Sequence, residues 1–484
     1  MSRVRAAAPL LLVLAAQAAI LVPVALRRVI DPDEGWYAFA AVRVTRGETP
    51  YLDFFYPQMP LLPYVFGAWT AIFGESWYAE RLCASALAIA VGTIVFLRGR
   101  SLAGTRAAVA GTIVYAATAL VFVWFTTIKT YALTALLLVS ALVLLERARG
   151  RGTRAHYAAA GLLFGLAISS RLIAAAALPA FAYCAFRNGR RSLAAGAAGV
   201  LIGLVPALVL LAWSPREFLF DNLGYHSVRS SAGLVGNVTQ KRGVVENLLG
   251  LGTADHPAGL QFLGLLVLAV AAAFVSIRRA RRLPLALAVA ALLGIGSLLP
   301  TPSFVQYFSL TVPFIVLGVL EVVPLVRLRA ALGAVAAVGG AAYLAAAAVD
   351  VRDYDQSRAP PGTDVPAVRA VASIVRAGSK PGERVLTTWS GYLVGTDASP
   401  VEGTGLANFV LDAVNRLRPD EIRRHQLLTQ TSVEALIRSR RVRLIVYRPW
   451  AASEGPRWTG LIEGSGYRYV AVVSTARIYR LPTH

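Results

Sequence analysis

Cysteine is nearly absent from this chain. Only Cys83 and Cys184 occur among 484 residues, and both lie inside apolar stretches. A lone Cys in such a place acts as a small hydrophobe, so neither a disulfide framework nor thiol chemistry is expected. The five histidines are scattered, and no Cys/His spacing fits zinc. Charged residues make up 15% of the chain, with acids outnumbered 26 to 48 by Lys and Arg. No Gly-rich loop follows a strand and opens a helix, so the usual nucleotide-phosphate cradle is missing. Nor is there an internal repeat, a heptad run or a low-complexity tract.

What the chain has instead is apolar sequence in long blocks. Hydrophobic residues make up 56% of it, and the mean hydropathy is +0.59. The blocks "APLLLVLAAQAAILVPVAL", "YAERLCASALAIAVGTIVFL" and "GLQFLGLLVLAVAAAFVSI" can each cross a hydrocarbon core, which needs roughly 20 residues. The first block starts like a secretory signal, but no small-residue cleavage site precedes Arg27, and a retained signal-anchor is expected. A net charge of +22 would suggest nucleic acid in a soluble protein. Here the arginines gather in short turns between apolar blocks, at 98–100, 147–154, 187–191, 278–282 and 327–329. With Arg3 and Arg5 in the cytoplasm, all five turns fall on the cytoplasmic side, as the positive-inside rule demands. Arg27 and Arg28 alone dissent, at the outer end of the first span.

The patterning predicts an α-helical polytopic membrane protein with about eleven spans, at 7–26, 78–97, 106–124, 130–146, 156–170, 172–187, 192–213, 259–277, 283–299, 309–326 and 330–349. A membrane domain over 1–350 then carries two large outer loops, 27–77 and 214–258. Within the first, "PLLPYVFGAWTAIFG" has the length of an interfacial or re-entrant helix rather than a span. Past the Pro-rich, charged linker "DVRDYDQSRAPPGTD" the composition changes. "AVRAVASIVRAG" reads as a helix ending at Gly378, while "RVLTTW", "VRLIVY", "YRYVAVV" and "ARIYRLP" read as strands. Residues 351–484 are therefore expected to form a small α/β domain on the extracytoplasmic face.

The chemistry concentrates after the first span, in "DPDEGWYAFA". Asp31, Asp33 and Glu34 fall within four residues, with Trp36 and Tyr37 close behind. One reading is purely structural, with Asp33 as the N-cap of a juxtamembrane helix and Glu34 in its first turn. The other notes the Pro- and aromatic-rich return toward the membrane, "GETPYLDFFYPQMPLLPY", with a further acid at Asp53. Acids at the lipid boundary beside an apolar re-entrant segment suit a reaction between a membrane-borne substrate and an outside one.

The run "DEGWYAFAAVRVTRGETPYLDFF", with "PLLPYVFGAWTAIFG" and "ERLCASALAIAVG" after it, resembles the GT-C glycosyltransferases. The branch in question is that of the protein O-mannosyltransferases and lipid A aminoarabinose transferases. The resemblance is most specific over about 28–97 and looser to 350. It implies an Asp-Glu pair at Asp33 and Glu34, with Asp33 the catalytic base and Glu34 a supporting acid or acceptor contact. Asp31 and Tyr37 would be substrate contacts, and the donor would be a sugar linked to a polyprenyl phosphate. One departure stands out. The aminoarabinose branch has a Lys before its Pro-Pro-Leu, where this chain has Gln58.

Transfer from such a donor needs a base for the acceptor hydroxyl. A phosphate departs as a stable anion and needs no general acid, unlike the leaving group in glycoside hydrolysis. One carboxylate plus cations at the phosphate is the minimum set, and the sugar would be inverted. Lys129 and Arg171 interrupt apolar sequence and are cation candidates, although both could instead snorkel to water. His226 and Arg229, with Lys241 and Arg242, could reach a phosphate from the second outer loop. Gln306 and Tyr307 lie at another outer mouth. No cofactor is fixed by the sequence, and the acids could hold a hard divalent cation only with help from the donor phosphate. The expected partners are the lipid-linked donor and a lipid, glycan or protein acceptor, in the inner (plasma) membrane. A lipid-linked glycan transporter or a non-catalytic scaffold is the alternative, but a transporter should show inverted repeats.

Overall fold

A computed structural model describes residues 2–482 except 152, 230–231, 253–255, 327–329, 359–360, 404–413, 415, 426 and 450–453. The basic turn at 327–329 lies outside the described residues, as does one residue of the turn at 147–154.

Helices dominate. In chain order they begin with α1 (Ser2–Arg27), α2 (Pro32–Thr45), α3 (Leu61–Phe73), α4 (Trp77–Ala116) and α5 (Ala119–Phe122). Next come α6 (Thr130–Arg151), α7 (Arg154–Ser170), α8 (Leu178–Arg187), α9 (Arg190–Gly203) and α10 (Val205–Trp213). Among the described residues, five stretches are long and apolar enough to cross a bilayer: Ala7–Arg27, Trp77–Ala116, Thr130–Ala148, Ala258–Ala280 and Val305–Leu325. The bent pair α9 and α10, 51° apart, passes the same test when taken together. The protein is a multi-pass membrane protein.

Several expected spans differ in detail, each for a physical reason. The stretches 78–97 and 106–124 lie in one 40-residue helix broken at Gly104, whose φ of 82° is left-handed. The two arms of α4 fold back on each other, since a Cβ on Gly99 would lie 3.4 Å from that of Ala108. The second arm stops at Ala116, short of the expected end. The stretch 172–187 opens as a 3-10 turn, Leu172–Ala177, before α8. The second outer loop, polar and rich in Gly, is largely helical over its described residues: α11 (Pro215–Leu219), a π-turn at Phe220–Gly224, α12 (Tyr225–Val228) and α13 (Gly233–Leu248). The predicted re-entrant helix is α3.

Beyond it run α14 (His256–Ala280), α15 (Leu285–Leu298), α16 (Val312–Val322) and α17 (Ala330–Asp353). Then α18 (Val365–Gly378) introduces the only described sheet. Its buried residues Val365, Val368, Val371, Ala372 and Val375 mark one helical face, and Asp364 caps it by accepting from the Ala367 amide at 2.8 Å. The strands are β1 (Arg384–Thr387), β2 (Ser399–Pro400), β3 (Leu444–Tyr447), β4 (Arg468–Val473) and β5 (Ala476–Arg480), in the order β2-β1-β3-β5-β4. β1 is parallel to β2 and β3, whereas β5 is antiparallel to both its neighbours. All four residues of β3 are buried, as its unbroken "LIVY" requires of a central strand. Short helices α19 (Pro419–Arg424), α20 (Gln430–Arg438) and α21 (Glu454–Gly464) complete this part of the chain.

One helix pair is packed unusually closely. A Cβ added at Gly161, Gly165, Gly199 or Gly203 would lie 2.0–2.2 Å from a backbone oxygen of the facing helix. Glycines four apart on both α7 and α9 let the backbones touch, the small-residue packing that suits helices in lipid.

Candidate active site

The acid turn is built from local rules. Asp31, not Asp33, is the N-cap of α2: its Oδ1 accepts from the Asp33 amide at 2.9 Å. Glu34 reaches back to accept from the Asp31 amide at 3.0 Å, completing a capping box with Pro32 in the first turn. The purely structural reading of the sequence put the cap at Asp33. The box instead needs a spacing of three, which only Asp31 has.

The three carboxylates then diverge. Glu34 is fully buried and forked by Arg81, with Nε to Oε1 at 3.0 Å and Nη2 to Oε2 at 2.7 Å. The Ile128 amide donates to the same Oε1 at 3.2 Å. Arg81, itself buried, also donates to the carbonyls of Ala25 and Arg28. Glu34 is thus a tie between α1, α2 and α4, and the expected role as acid or acceptor contact meets a carboxylate with no open face. Lys129 lies 2.7 Å from Asp31 Oδ1 and 3.1 Å from Asp33 Oδ2, over the Trp124 ring at 5.0 Å. The Asp31 side chain is 14% exposed and that of Asp33 50%. Asp33 is the open acid of the three.

One ammonium between two carboxylates splits their acidities. Burial pushes Asp31 up, and the Asp33 charge adds to this against the pull of Lys129, so Asp31 lies above the ordinary carboxylate range. For Asp33, burial is the largest single effect and acts upward, but the charge and hydrogen bond of Lys129 together with the Arg229 and Arg171 charges outweigh it, and the carboxyl is held below its usual value.

Arg171 lines a cavity of about 440 Å³ together with Gln58, Asn222, His226 and Tyr307. Its guanidinium lies between the Tyr131 and Tyr307 rings, 4.5 and 4.7 Å from their centroids. Nη1 donates to Thr130 Oγ1 at 2.8 Å, while Nε is buried without a hydrogen-bond partner. Among the described residues Arg171 makes no ion pair, which is costly for a buried cation unless an anion joins it. The cavity's rim carries Leu172, Leu223 and Leu299, exposed by 45%, 54% and 71%.

The other candidates are dispersed. His226 meets the Pro57 carbonyl at 3.0 Å, and burial holds its imidazole below the usual value. Arg229 covers the Phe304 ring, Lys241 reaches the Leu299 carbonyl and Arg242 pairs with Glu246. Tyr37 is buried against Trp36 and Tyr56. Asp53 closes its own turn by accepting from the Thr49 amide at 2.7 Å, and it lines a separate cavity with Asp221 and Glu402. Among the described residues no group of three or more His, Cys, Asp or Glu is arranged to hold a metal ion.

Sequence reasoning missed the partner of the acid turn. Trp389 Nε1 donates to the Pro32 carbonyl at 2.7 Å. Its ring packs on Gly35 so closely that a Cβ there would lie 2.2 Å from a ring atom, and it stacks on Trp77 at 5.6 Å. Nearby, Arg46 pairs with Glu75 and reaches the Ala398 carbonyl, and Arg43 meets Glu402 at 3.1 Å. The glycine of "DEGWY" was the one visible signal.

A family model described as dolichyl-phosphate-mannose-protein mannosyltransferase matches residues 57–214. The fold is similar to that of ArnT from Cupriavidus metallidurans bound to undecaprenyl phosphate, with a TM-score of 0.69, 15% identity and 98% of each chain covered. The apo form of the same protein gives 0.68 at 17% identity, again with 98% of each chain covered. An Archaeoglobus fulgidus oligosaccharyltransferase tethered to an acceptor peptide with the NVT sequon gives 0.55 at 15% identity, covering 98% of this chain and 74% of that one. No curated protein matches in sequence. The chain shares the fold of these proteins over 98% of its length.

Proposed function

We propose that the protein is an integral-membrane glycosyltransferase that moves a sugar from a polyprenyl-phosphate donor to an acceptor hydroxyl on the outer face of the inner (plasma) membrane. The observation that carries this reading is the contrast among the three acids: Glu34 is sealed, Asp31 caps the helix, and Asp33 alone is half open. Asp33 is the base. It takes the proton as the acceptor oxygen attacks the anomeric carbon from the face opposite the phosphate, so the sugar inverts. The lipid phosphate leaves as an anion and requires no acid.

Arg171 receives that phosphate in the cavity it shares with Gln58 and His226, where its unpartnered Nε gains an acceptor. The exposed leucines at the rim suit a prenyl chain entering from lipid. Arg171 thereby takes the part left open by Gln58, which stands where the aminoarabinose branch has a Lys. The topology in this reading has eleven crossings, a cytoplasmic N-terminus and an extracytoplasmic α/β domain over 351–484. The bond from Trp389 to Pro32 supports that last placement, since it brings this part of the chain to the acid turn.

The test uses protein in lipid, radiolabelled polyprenyl-phospho-sugars and a cell-envelope acceptor fraction, comparing wild type with Asp33→Asn. Transfer should fall by about 10²–10⁴-fold, the usual worth of a positioned base, while donor binding persists. Equal transfer by the two proteins would overturn the assignment.

A further inference from the structure

A second cavity, of about 340 Å³, opens between α1, the turn around Ala117–Phe122 and α17. It is amphiphilic along its length. Ile20, Val24, Phe122, Leu344 and Val351 make its apolar part, and Arg27, Arg28, Tyr354 and Asp355 gather at one end. From Ile20 to Arg27 the helix climbs roughly 10 Å, the scale of part of an acyl chain.

The polar end is cationic. Arg27 pairs with Asp355 at 3.0 Å and keeps 68% of its side chain exposed. Arg28 is 2% exposed and, among the described residues, forms no ion pair. Its Nε donates to the Val29 carbonyl at 3.2 Å and its Nη1 to that of Val123, while the guanidinium lies over the Trp124 and Tyr354 rings. The nearest acids of the first turn are already engaged, Glu34 by Arg81 and Asp31 by Lys129. A buried guanidinium satisfied only by carbonyls, lining a groove with an apolar floor, lacks an anion. The same two arginines break the positive-inside pattern of the chain, and a ligand for them explains why they stand at this end of α1.

We propose that this groove binds one anionic phospholipid, its phosphate at Arg27 and Arg28 and a chain along α1 and α17. The site is separate from the cavity of Arg171, and it goes beyond the proposed transfer reaction. Trp124 faces Arg28 at 5.5 Å and Lys129 at 5.0 Å, so the lipid site and the acid turn share one ring.

Native mass spectrometry of the full chain in mild detergent tests this, with phosphatidylglycerol and phosphatidylcholine of identical chains as probes. Wild type should retain one phosphatidylglycerol in preference to phosphatidylcholine. Arg27→Gln should weaken that retention about tenfold, the worth of one charge-assisted bond. Ala347→Trp, which fills the apolar floor, should abolish it with either arginine intact, and a melting curve on each variant confirms the fold. Equal retention of both lipids by wild type overturns the proposal, as does phosphatidylglycerol binding unchanged in both variants. Loss of the adduct in Arg171→Gln, with Arg27→Gln silent, would move the lipid to the other cavity and overturn it too.

Discussion

Asp31, Asp33 and Glu34 are neighbours in sequence and differ in everything that decides chemistry. Their partners are an amide and an ammonium, an ammonium alone, and a guanidinium fork. A consequence can be measured at Asp33. Its carboxyl is held below the usual range, so it stays ionised as pH falls, and a rate that needs it as base is lost only below the ordinary carboxylate range. Lys129→Gln removes the dominant downward pull and leaves burial, which acts upward. The acidic limb of kcat/KM should then move to higher pH. A limb that stays put, whatever the drop in rate, would detach Lys129 from the base. Much of this residue-level picture is legible in "DPDEG", because acids at a lipid boundary are rare and costly. Which acid stays open is not legible: Arg81 and Lys129 lie 47 and 96 residues away, and only folding sets them against Glu34 and Asp33.

At the scale of elements, periodicity and punctuation carried the reading well where one rule acted alone. The helix ending at Gly378 and the four longer strands lie where alternation and turn residues put them. Boundaries drifted where two rules competed. The second arm of α4 stops at Ala116, short of the apolar end at 124, and the second outer loop folds into short helices despite its glycines. The α7–α9 pair supplies the element-scale prediction. Gly165→Ala puts a methyl 2.2 Å from the Val200 carbonyl oxygen, and the helices must part to admit it. Overpacking of this kind costs about 1–3 kcal/mol, read as a lower melting temperature in detergent. The same change at Gly264, inside α14 with nothing within 4 Å, brings a better helix former without a clash and should not lower the melting temperature.

Across the whole molecule, the acid turn is finished by a residue 357 positions away. Apart from Gly35, nothing in the first 100 residues points to Trp389, and a lone glycine names no partner, so the function of the C-terminal part could not be read from sequence. Gly35→Ala forces Trp389 or Gly391 to move. Displacing the base by an ångström can cost about 10²-fold in rate, so kcat should fall by up to that much with donor KM little changed. Pairing it with Trp389→Leu, which removes the clashing ring, should cost less than the sum of the two single changes. Strict additivity would mean the ring does not position the turn.

That contact also fixes an order in time. A ribosome releases residues 1–100 long before residue 389, so the growing chain exposes its open carboxylate while the ring that clamps the turn has yet to be made. If the clamp positions the turn, a membrane-inserted chain shorter than residue 389 carries the acid without it.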